Sequence, residues 1–586
     1  MVIIGLNAFH GDSSACLFVD GGMRAAVEEE RFRRIKHWAG FPSESIRYCL
    51  KSQGLSLSDV DVIAINTDPK AARWKKIGYA LSGQASLPLI AEKLKVREKR
   101  KGISEHLLDA FPNDTFSGDI DYIEHHMAHL ASAYNMSPYD QASIISVDGF
   151  GDFASAAWGV GSNGHIDCQQ RVYFPHSLGI FYQALTQYLG FPHYGDEYKI
   201  MGLAPYGKPV YREQMDELLA PTDDIGFKLN LDYFQHHKKP IGYEWNGDSP
   251  MVSQLFDNKM VDLLGPMRLK EQPLEPHHKD LARSIQDAYE RTFFNMLGKL
   301  HKQHGSDNLT IAGGCGMNSV ANGKVHLRTP YKNIYIQSAA GDAGGAIGAA
   351  VEAGKKRAKS SSKRFTMTHS YWGPSFGDDA LSVLLNENMA ELLTEGCDIK
   401  QDLSLDVMVD QVSDAIIEGR VIGWFQGAME WGPRALGNRS ILGDPRRTDM
   451  KDILNLKIKR RESFRPFAPS VMQEHVKDWF ESDAPVPFMM KVFEIKAAQR
   501  KKIPSVTHVD GSGRLQTVTE QQNKPYYKLI QAFYNKTGVP MLLNTSFNEN
   551  EPVVCTPQEA LACFLRTNMD VLVLGSHLVM RRPVEH

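Results

Sequence analysis

The sequence predicts a two-domain α/β protein, and three observations carry that reading. The chain has 586 residues, more than one hydrophobic core can organise, so at least two domains are required. Short apolar runs of strand length alternate with stretches of helical period in both halves. Between the halves lies AGKKRAKSSSKR at 353–364, basic, serine-rich and without an apolar period, which reads as a solvated linker. The domains are therefore expected at 1–355 and 365–586.

VIIGLN at 2–7 reads as a strand, HGDSS as a turn, ACLFVD as the return, and Asp20-Gly21-Gly22 as a hairpin into MRAAVEE. VIAIN at 62–66 and SIISVD at 143–148 read as further buried strands. A long helix is expected over 279–303, where Leu281, Ile285, Ala288, Tyr289, Phe293, Met296 and Leu300 recur at helical spacing. It leads to the strand LTIAGG, which breaks into GGCGMNS. NIYIQ at 333–337 then runs into AAGDAGGAIGAA. In the second half VIGWFQG, MLLN and VLVL are strands among helices, so that half is mixed α/β as well.

Composition narrows the function classes. The net charge of -3 lacks the basic excess of a nucleic-acid-binding surface, and no nucleic-acid partner is expected. The seven cysteines are scattered without a C-x-x-C pair, which argues against a disulfide framework or a zinc ribbon and for a reducing cytoplasm. MVIIGLNAFHGD has no basic stretch or cleavage site of a secretory leader, and no apolar run approaches membrane-spanning length, so no membrane partner is expected either.

The sharpest local signal is His125-His126-Met127-Ala128-His129. The H-x-x-x-H spacing sets His125 and His129 one turn apart on one helix face, able to hold one metal. A zinc protease places glutamate where His126 stands, so that chemistry is excluded. Asp342, after a later strand, is the candidate third ligand, and such a set suits iron, manganese or zinc. Three acidic, glycine-flanked turns follow strands: His10-Gly11-Asp12, Asp148-Gly149-Phe150-Gly151-Asp152, and Gly341-Asp342-Ala343-Gly344. With Gly313, Gly314, Gly316 and Asn318 they form a candidate nucleotide site, because glycine lets backbone N–H groups approach phosphate. In the second half, Arg434 and Arg439 lie in EWGPRALGNRS, and Lys459, Arg461 and Arg465 in KIKRRESFRPFAPS. Flanking prolines and phenylalanines stiffen this basic cluster, whose forks and point charges suit phosphate. Asn544, Ser546 and Asn548 in NTSFN offer short polar ends to a ligand.

These motifs, together with GLNAFHGDSSA, EEERFRRIKH and SVDGFGD, resemble the ATP-dependent O-carbamoyltransferase family of the NodU/TobZ type over nearly the whole chain. The resemblance implies an actin-like ATPase (ASKHA) duplicated fold in the first domain and a YrdC-like mixed-sheet fold in the second. It implies that ATP, with Mg²⁺, and carbamoyl phosphate form carbamoyl-AMP at Lys459, Arg461 and the S-x-N signature Ser546-Phe547-Asn548. It implies metal ligation by His125, His129 and Asp342, with iron(II) placed ahead of manganese(II) or zinc(II), and a general-base role for His10 toward a small-molecule alcohol acceptor. A homodimer is a further expectation. The segments 67–120 and 210–275 carry none of the shared motifs and are expected to face the acceptor. The rivals are a tRNA threonylcarbamoyladenosine-type enzyme, an actin-like kinase or ATPase, and a regulatory nucleotide binder.

Overall fold

The computed structural model describes residues 1–82, 102–245, 249–357, 364–459 and 461–582. The chain divides into two compact units, Met1–Met367 and Thr368–His586. The stretch expected as linker begins differently: residues 353–357 finish the helix Gly345–Arg357, with Ala353 buried and Arg357 paired to Asp119 and Asp121. The alanine-glycine run before them supplies the buried face, a helical continuity that the lysines and serines of 355–362 mask. Residues 358–363 of that stretch lie outside the described residues.

The first unit holds strands β1 Val2–Asn7, β2 Ser14–Val19, β3 Gly22–Glu28, β4 Val62–Ile65 and β5 Asp119–Tyr122, in the order β3-β2-β1-β4-β5. A second sheet contains β6 Gln141–Gly151, β7 Ala154–Ser162 and β8 His165–Tyr173. Two small hairpins follow: β9 Leu219–Pro221 with β10 Phe227–Leu229, and β11 Tyr243–Glu244 with β12 Met251–Val252. The second sheet then completes with β13 Asn308–Ala312 and β14 Asn333–Ile336, in the order β14-β13-β6-β7-β8.

The two sheets share one topology. Each has a central strand, β1 or β6, antiparallel to the hairpin strands on one side and parallel to β4 or β13 on the other. This is the internal duplication that the resemblance implies. The central strands are buried on both faces, as strands covered by helices must be. The helix expected over 279–303 spans Pro276–His304, and its seven periodic apolar residues are all buried. Duplication puts the turn after β1, with His10 and Asp12, and the end of β6 and the turn after it, with Gly151 and Asp152, at equivalent places in the two sheets.

The second unit is built on one mixed sheet: β15 Cys397–Lys400, β16 Ile422–Phe425, β17 Arg439–Gly443, β18 Ala468–Met472, β19 Lys491–Glu494, β20 Ser512–Val518, β21 Met541–Ser546, β22 Val571–Leu574 and β23 His577–Arg581. Their order is β15-β23-β22-β16-β17-β21-β18-β20-β19. β16, β21 and β22 contain the three runs read as strands from the sequence, and Val571–Leu574 are wholly buried. Among the described residues no helix is long and apolar enough to cross a membrane.

Candidate functional site

In the first unit the helix His125–Tyr134 begins on two carboxylates. Glu124 accepts from the His126 and Met127 N–H groups, and Asp152 accepts from the His125 N–H at 3.0 Å. Satisfying these otherwise orphaned N–H groups fixes where the first turn starts, and hence where His125 and His129 point. Their Nε2 atoms converge to 3.0 Å. Asp148 Oδ2 lies 3.1 and 3.3 Å from them, and Asp342 Oδ1 3.6 and 3.5 Å. All four groups lie within 4.8 Å of one another.

The charges in this cluster are frustrated without a cation. Burial works against ionisation of Asp148, but hydrogen bonds from His125 and His129 reverse that and hold its carboxyl well below the usual range. Asp342 is pushed up, by burial first and then by Asp148. Burial and the neighbouring imidazolium lower His125, yet the two carboxylates raise it on balance. The same carboxylates outweigh burial at His129 and push it up to about 9. His126, pointing elsewhere to Ser146 Oγ, is pushed down by burial to about 4 and stays neutral. Two imidazole nitrogens and two carboxylate oxygens converging in a largely buried site fit a divalent transition ion, which would keep both carboxylates ionised and both imidazoles neutral.

His10 stands beside this cluster, with Nδ1 3.8 Å from Asp342 Oδ2 and its ring centroid 5.1 Å from that of His125. Asp12 lies apart from the four ligand groups and accepts a 2.7 Å contact from His37 Nδ1. Burial opposes the charge on His37, but Asp12 prevails and pushes it up to about 9. Asp12, Glu30 and His37 could themselves surround a cation. Within this group His37 and Asp12 make a close ion pair at 2.7 Å.

Several residues read as nucleotide ligands make contacts within the chain. Asp148 is the fourth member of the His125, His129 and Asp342 cluster, and its second oxygen accepts the Gly314 N–H at 2.8 Å. Gly151 leaves room for a ligand side chain, since a Cβ there would overlap the His125 ring. Gly313, at φ 86°, packs against the Val147 carbonyl, and Gly316 closes the turn by donating to the Gly313 carbonyl. Asn318 is the N-cap of the helix Ser319–Arg328, accepting from Ala321 N, and pairs with Gln286 through both ends of its amide. The asparagine immediately before a helix was the available signal.

In the second unit Lys459 ends a π-helical turn, Asn455–Lys459, a deformation that often marks functional sites. Its buried Nζ donates to the Ser546 carbonyl at 2.6 Å, and to the carbonyl and Oδ1 of Asn548 at 2.7 and 2.6 Å. The two signatures thus meet through one ammonium, which no carboxylate neutralises in these contacts. Burial, then Arg461 and Arg465, holds its pKa well below the ordinary value. Arg461 stacks on Phe467, 4.4 Å from its ring centre. Arg460, between them, lies outside the described residues.

Sequence reasoning missed Arg514 on β20. Half-buried, and beside Arg434, Arg461 and Arg465, it has its pKa lowered well below the usual value by desolvation and then by those three charges. Such a concentration of positive charge suits an anion. Arg439 is not part of it. Its guanidinium donates to the carbonyls of Gln426, Gly427, Asn438 and Pro374 and stacks on Phe425 at 3.7 Å, which makes it a scaffold of its own loop. Glu430 completes that scaffold by accepting the N–H groups of Leu436, Asn438 and Arg439. Asn544 uses its amide N–H groups on Ala435, Ser470 and Gln516, which ties β21 to its neighbours.

Comparison with known proteins joins the two units. Residues 2–351 match the family described as Carbamoyltransferase N-terminus and residues 413–581 that described as Carbamoyltransferase C-terminus. The chain is 39% identical to the Synechocystis protein sll1178, over 99% of this chain and 96% of that one. It is 38% identical to nodulation protein NolNO of Sinorhizobium fredii, over 98% of this chain and 80% of that one. It is 33% identical to the 3'-hydroxymethylcephem-O-carbamoyltransferase of Amycolatopsis lactamdurans, over 41% and 42% of the two chains. With matches to both halves of one family, this chain belongs to the carbamoyltransferase family and is a transferase of carbamoyl groups.

Proposed function

We propose that the second unit, as a YrdC-like domain, makes carbamoyl-AMP from ATP and carbamoyl phosphate, and that the first, as an actin-like domain, transfers the carbamoyl group to an alcohol. The observation that carries the reading is Lys459, whose buried ammonium joins Ser546 and Asn548 beside Arg461 and Arg465. Water first cleaves carbamoyl phosphate to carbamate and phosphate. A carbamate oxygen then attacks the α-phosphorus of ATP, the bond from that phosphorus to the β-phosphate oxygen breaks, and pyrophosphate leaves. Lys459, Arg434, Arg461, Arg465 and Arg514 gather the charge that builds on the phosphates, and fixed positive groups in a dry pocket lower this barrier without reorganising.

In the first unit the acceptor oxygen attacks the carbamoyl carbon, the bond to AMP breaks, and AMP leaves with its electron pair. His10 takes the acceptor's proton, a general-base task suited to imidazole. His125, His129, Asp148 and Asp342 would hold the divalent ion, iron(II) ahead of manganese(II) or zinc(II). When bound there, the ion supplies positive charge that neutralises the adenylate's phosphate. Incubation with ATP and carbamoyl phosphate alone, without an acceptor, tests the first half. Slow accumulation of AMP and pyrophosphate is expected, and formation of ADP without either product sinks the adenylation reading.

A further inference from the structure

The first unit carries a groove that the transfer chemistry leaves without a role. Trp74, Lys75 and Tyr79, from the helix Arg73–Leu81, line it together with Phe153, Phe174 and His176. Its volume is about 470 Å³, the size of a site for a small organic molecule. The rings are set by packing on one another. Tyr79 meets Phe174 edge-on at 5.1 Å between centroids, and Phe153 at 5.9 Å. Phe153 lies 5.5 Å from Phe174, which is backed in turn by Phe150 at 5.0 Å. Phe153 holds φ 76°, a left-handed backbone that a bulky residue rarely adopts and that collects at ligand clamps. Trp74 lines the groove while 80% exposed, so its indole stands at the rim.

Three side chains of the groove offer hydrogen-bond donors. Lys75 Nζ lies 5.3 Å from the centre of the Tyr173 ring, another part of the lining. His176 Nδ1 accepts the Leu229 N–H at 3.2 Å, which leaves the imidazole proton on Nε2. Burial, then Lys228, lowers the His176 pKa and keeps that ring neutral. The Tyr79 hydroxyl is buried and has no hydrogen-bond partner among the described residues. None of the lining residues is acidic. Asp152, next to Phe153 in the chain, directs its carboxylate to Thr67 Oγ1 and to the N–H groups of Asp68 and His125. Lys75 is therefore the one full charge in the lining.

We infer that this groove is a binding site for a planar aromatic carboxylate, separate from the sites of adenylation and transfer, with the ring among the aromatic side chains and the anionic end at Lys75. The rings supply flat apolar contact, which selects an aromatic body. The lysine and the neutral donors select the sign of the charge and a group that accepts hydrogen bonds. A cation is the usual guest of an aromatic cage. Here Lys75 repels it, and no carboxylate in the lining offsets that repulsion.

The test is calorimetry on the metal-loaded full-length protein with indole-3-acetate, 3-methylindole and tryptamine. These share one ring and differ in charge, and none carries an alcohol to carbamoylate, so binding is read apart from turnover. Indole-3-acetate should bind, 3-methylindole about 2- to 5-fold more weakly, and tryptamine more weakly still. Trp74→Ala should weaken indole-3-acetate by about 3- to 10-fold. Lys75→Gln should weaken it by about 2- to 5-fold and leave 3-methylindole unchanged. Both positions are exposed and tolerate substitution. Trp245→Ala, at an exposed ring outside the groove, should change nothing, and saturating ATP or carbamoyl phosphate should not displace the acid. The inference is overturned if indole-3-acetate does not bind, if tryptamine binds as well, or if either groove variant binds it like the wild type. Displacement by ATP or carbamoyl phosphate would overturn it too, by placing the acid in the reaction's own site.

Discussion

The Gly151 Cα faces the His125 imidazole so closely that a Cβ would overlap the ring. A side chain at 151 would have to displace the ring that holds Nε2 beside Asp148, so the glycine is a condition of the cluster's geometry. Gly151→Ala should weaken metal binding by roughly 10- to 100-fold, the usual effect of disturbing a group that orients a ligand. Elemental analysis after dialysis measures the loss, and pyrophosphate release by the second unit should be unaffected. Full metal retention would mean that the cluster does not depend on where His125 stands.

Lys459 joins the Ser546 and Asn548 oxygens through one ammonium. Lys459→Met keeps the length of the side chain and removes its charge and donors. Acceptor-independent pyrophosphate release should fall by about 10²- to 10³-fold, the scale of losing one fixed electrostatic group. Metal content should not change. A variant that still forms adenylate at the normal rate would reduce Lys459 to a structural strut.

The residues differ in how readily the sequence announces them. His125 and His129 are legible because a helix face follows from spacing alone. Asp148 was legible as a strand-end aspartate able to bind a metal or a nucleotide, but not as a neighbour of His125 and His129, since the parallel pairing of β6 with β13 is what brings it beside the loops that follow. Gly313, Gly314 and Gly316 read as a phosphate loop because tight turns and phosphate loops require the same residue. Arg514 carried no signal, because one arginine on a strand looks solvent-facing until the fold surrounds it with three others. The duplication was not visible in residues either. It lies in strand order, and the β1 and β6 runs share no repeated motif.

Arg439 and Arg461 separate scaffold from chemistry within the same unit. Arg439→Ala leaves the carbonyls of Gln426, Gly427, Asn438 and Pro374 without their buried donor, at a cost of roughly 3 kcal/mol or more. Its signature should be a lowered unfolding temperature. Arg461→Ala should instead preserve the unfolding temperature and slow pyrophosphate release by about 30-fold to several thousand-fold. Paired thermal-shift and pyrophosphate assays decide the assignment. It is reversed if Arg439→Ala proves stable but inactive.

The Asp12–His37 pair makes the first unit's stability depend on pH in a defined direction. Burial lowers the His37 pKa, Asp12 overrides that, and the folded value stands at about 9 against an ordinary value of 6.5. A group whose pKa is raised on folding binds its proton more tightly in the folded state. Its contribution is complete below about pH 6.5, falls as pH rises, and is gone above about pH 9. Asp12, itself held below its usual range, remains ionised throughout that window. A shift of this size corresponds to at most about 3.4 kcal/mol, and the partly exposed pair should deliver less. Urea unfolding of the wild type and of His37→Gln, followed from pH 6 to pH 10, isolates the effect, because the metal cluster's own titration is common to both proteins. The difference in stability between them should be largest near pH 6 and shrink steadily toward pH 9.5. A difference that stays constant across that range, or grows with pH, would show that His37 is not held protonated by Asp12.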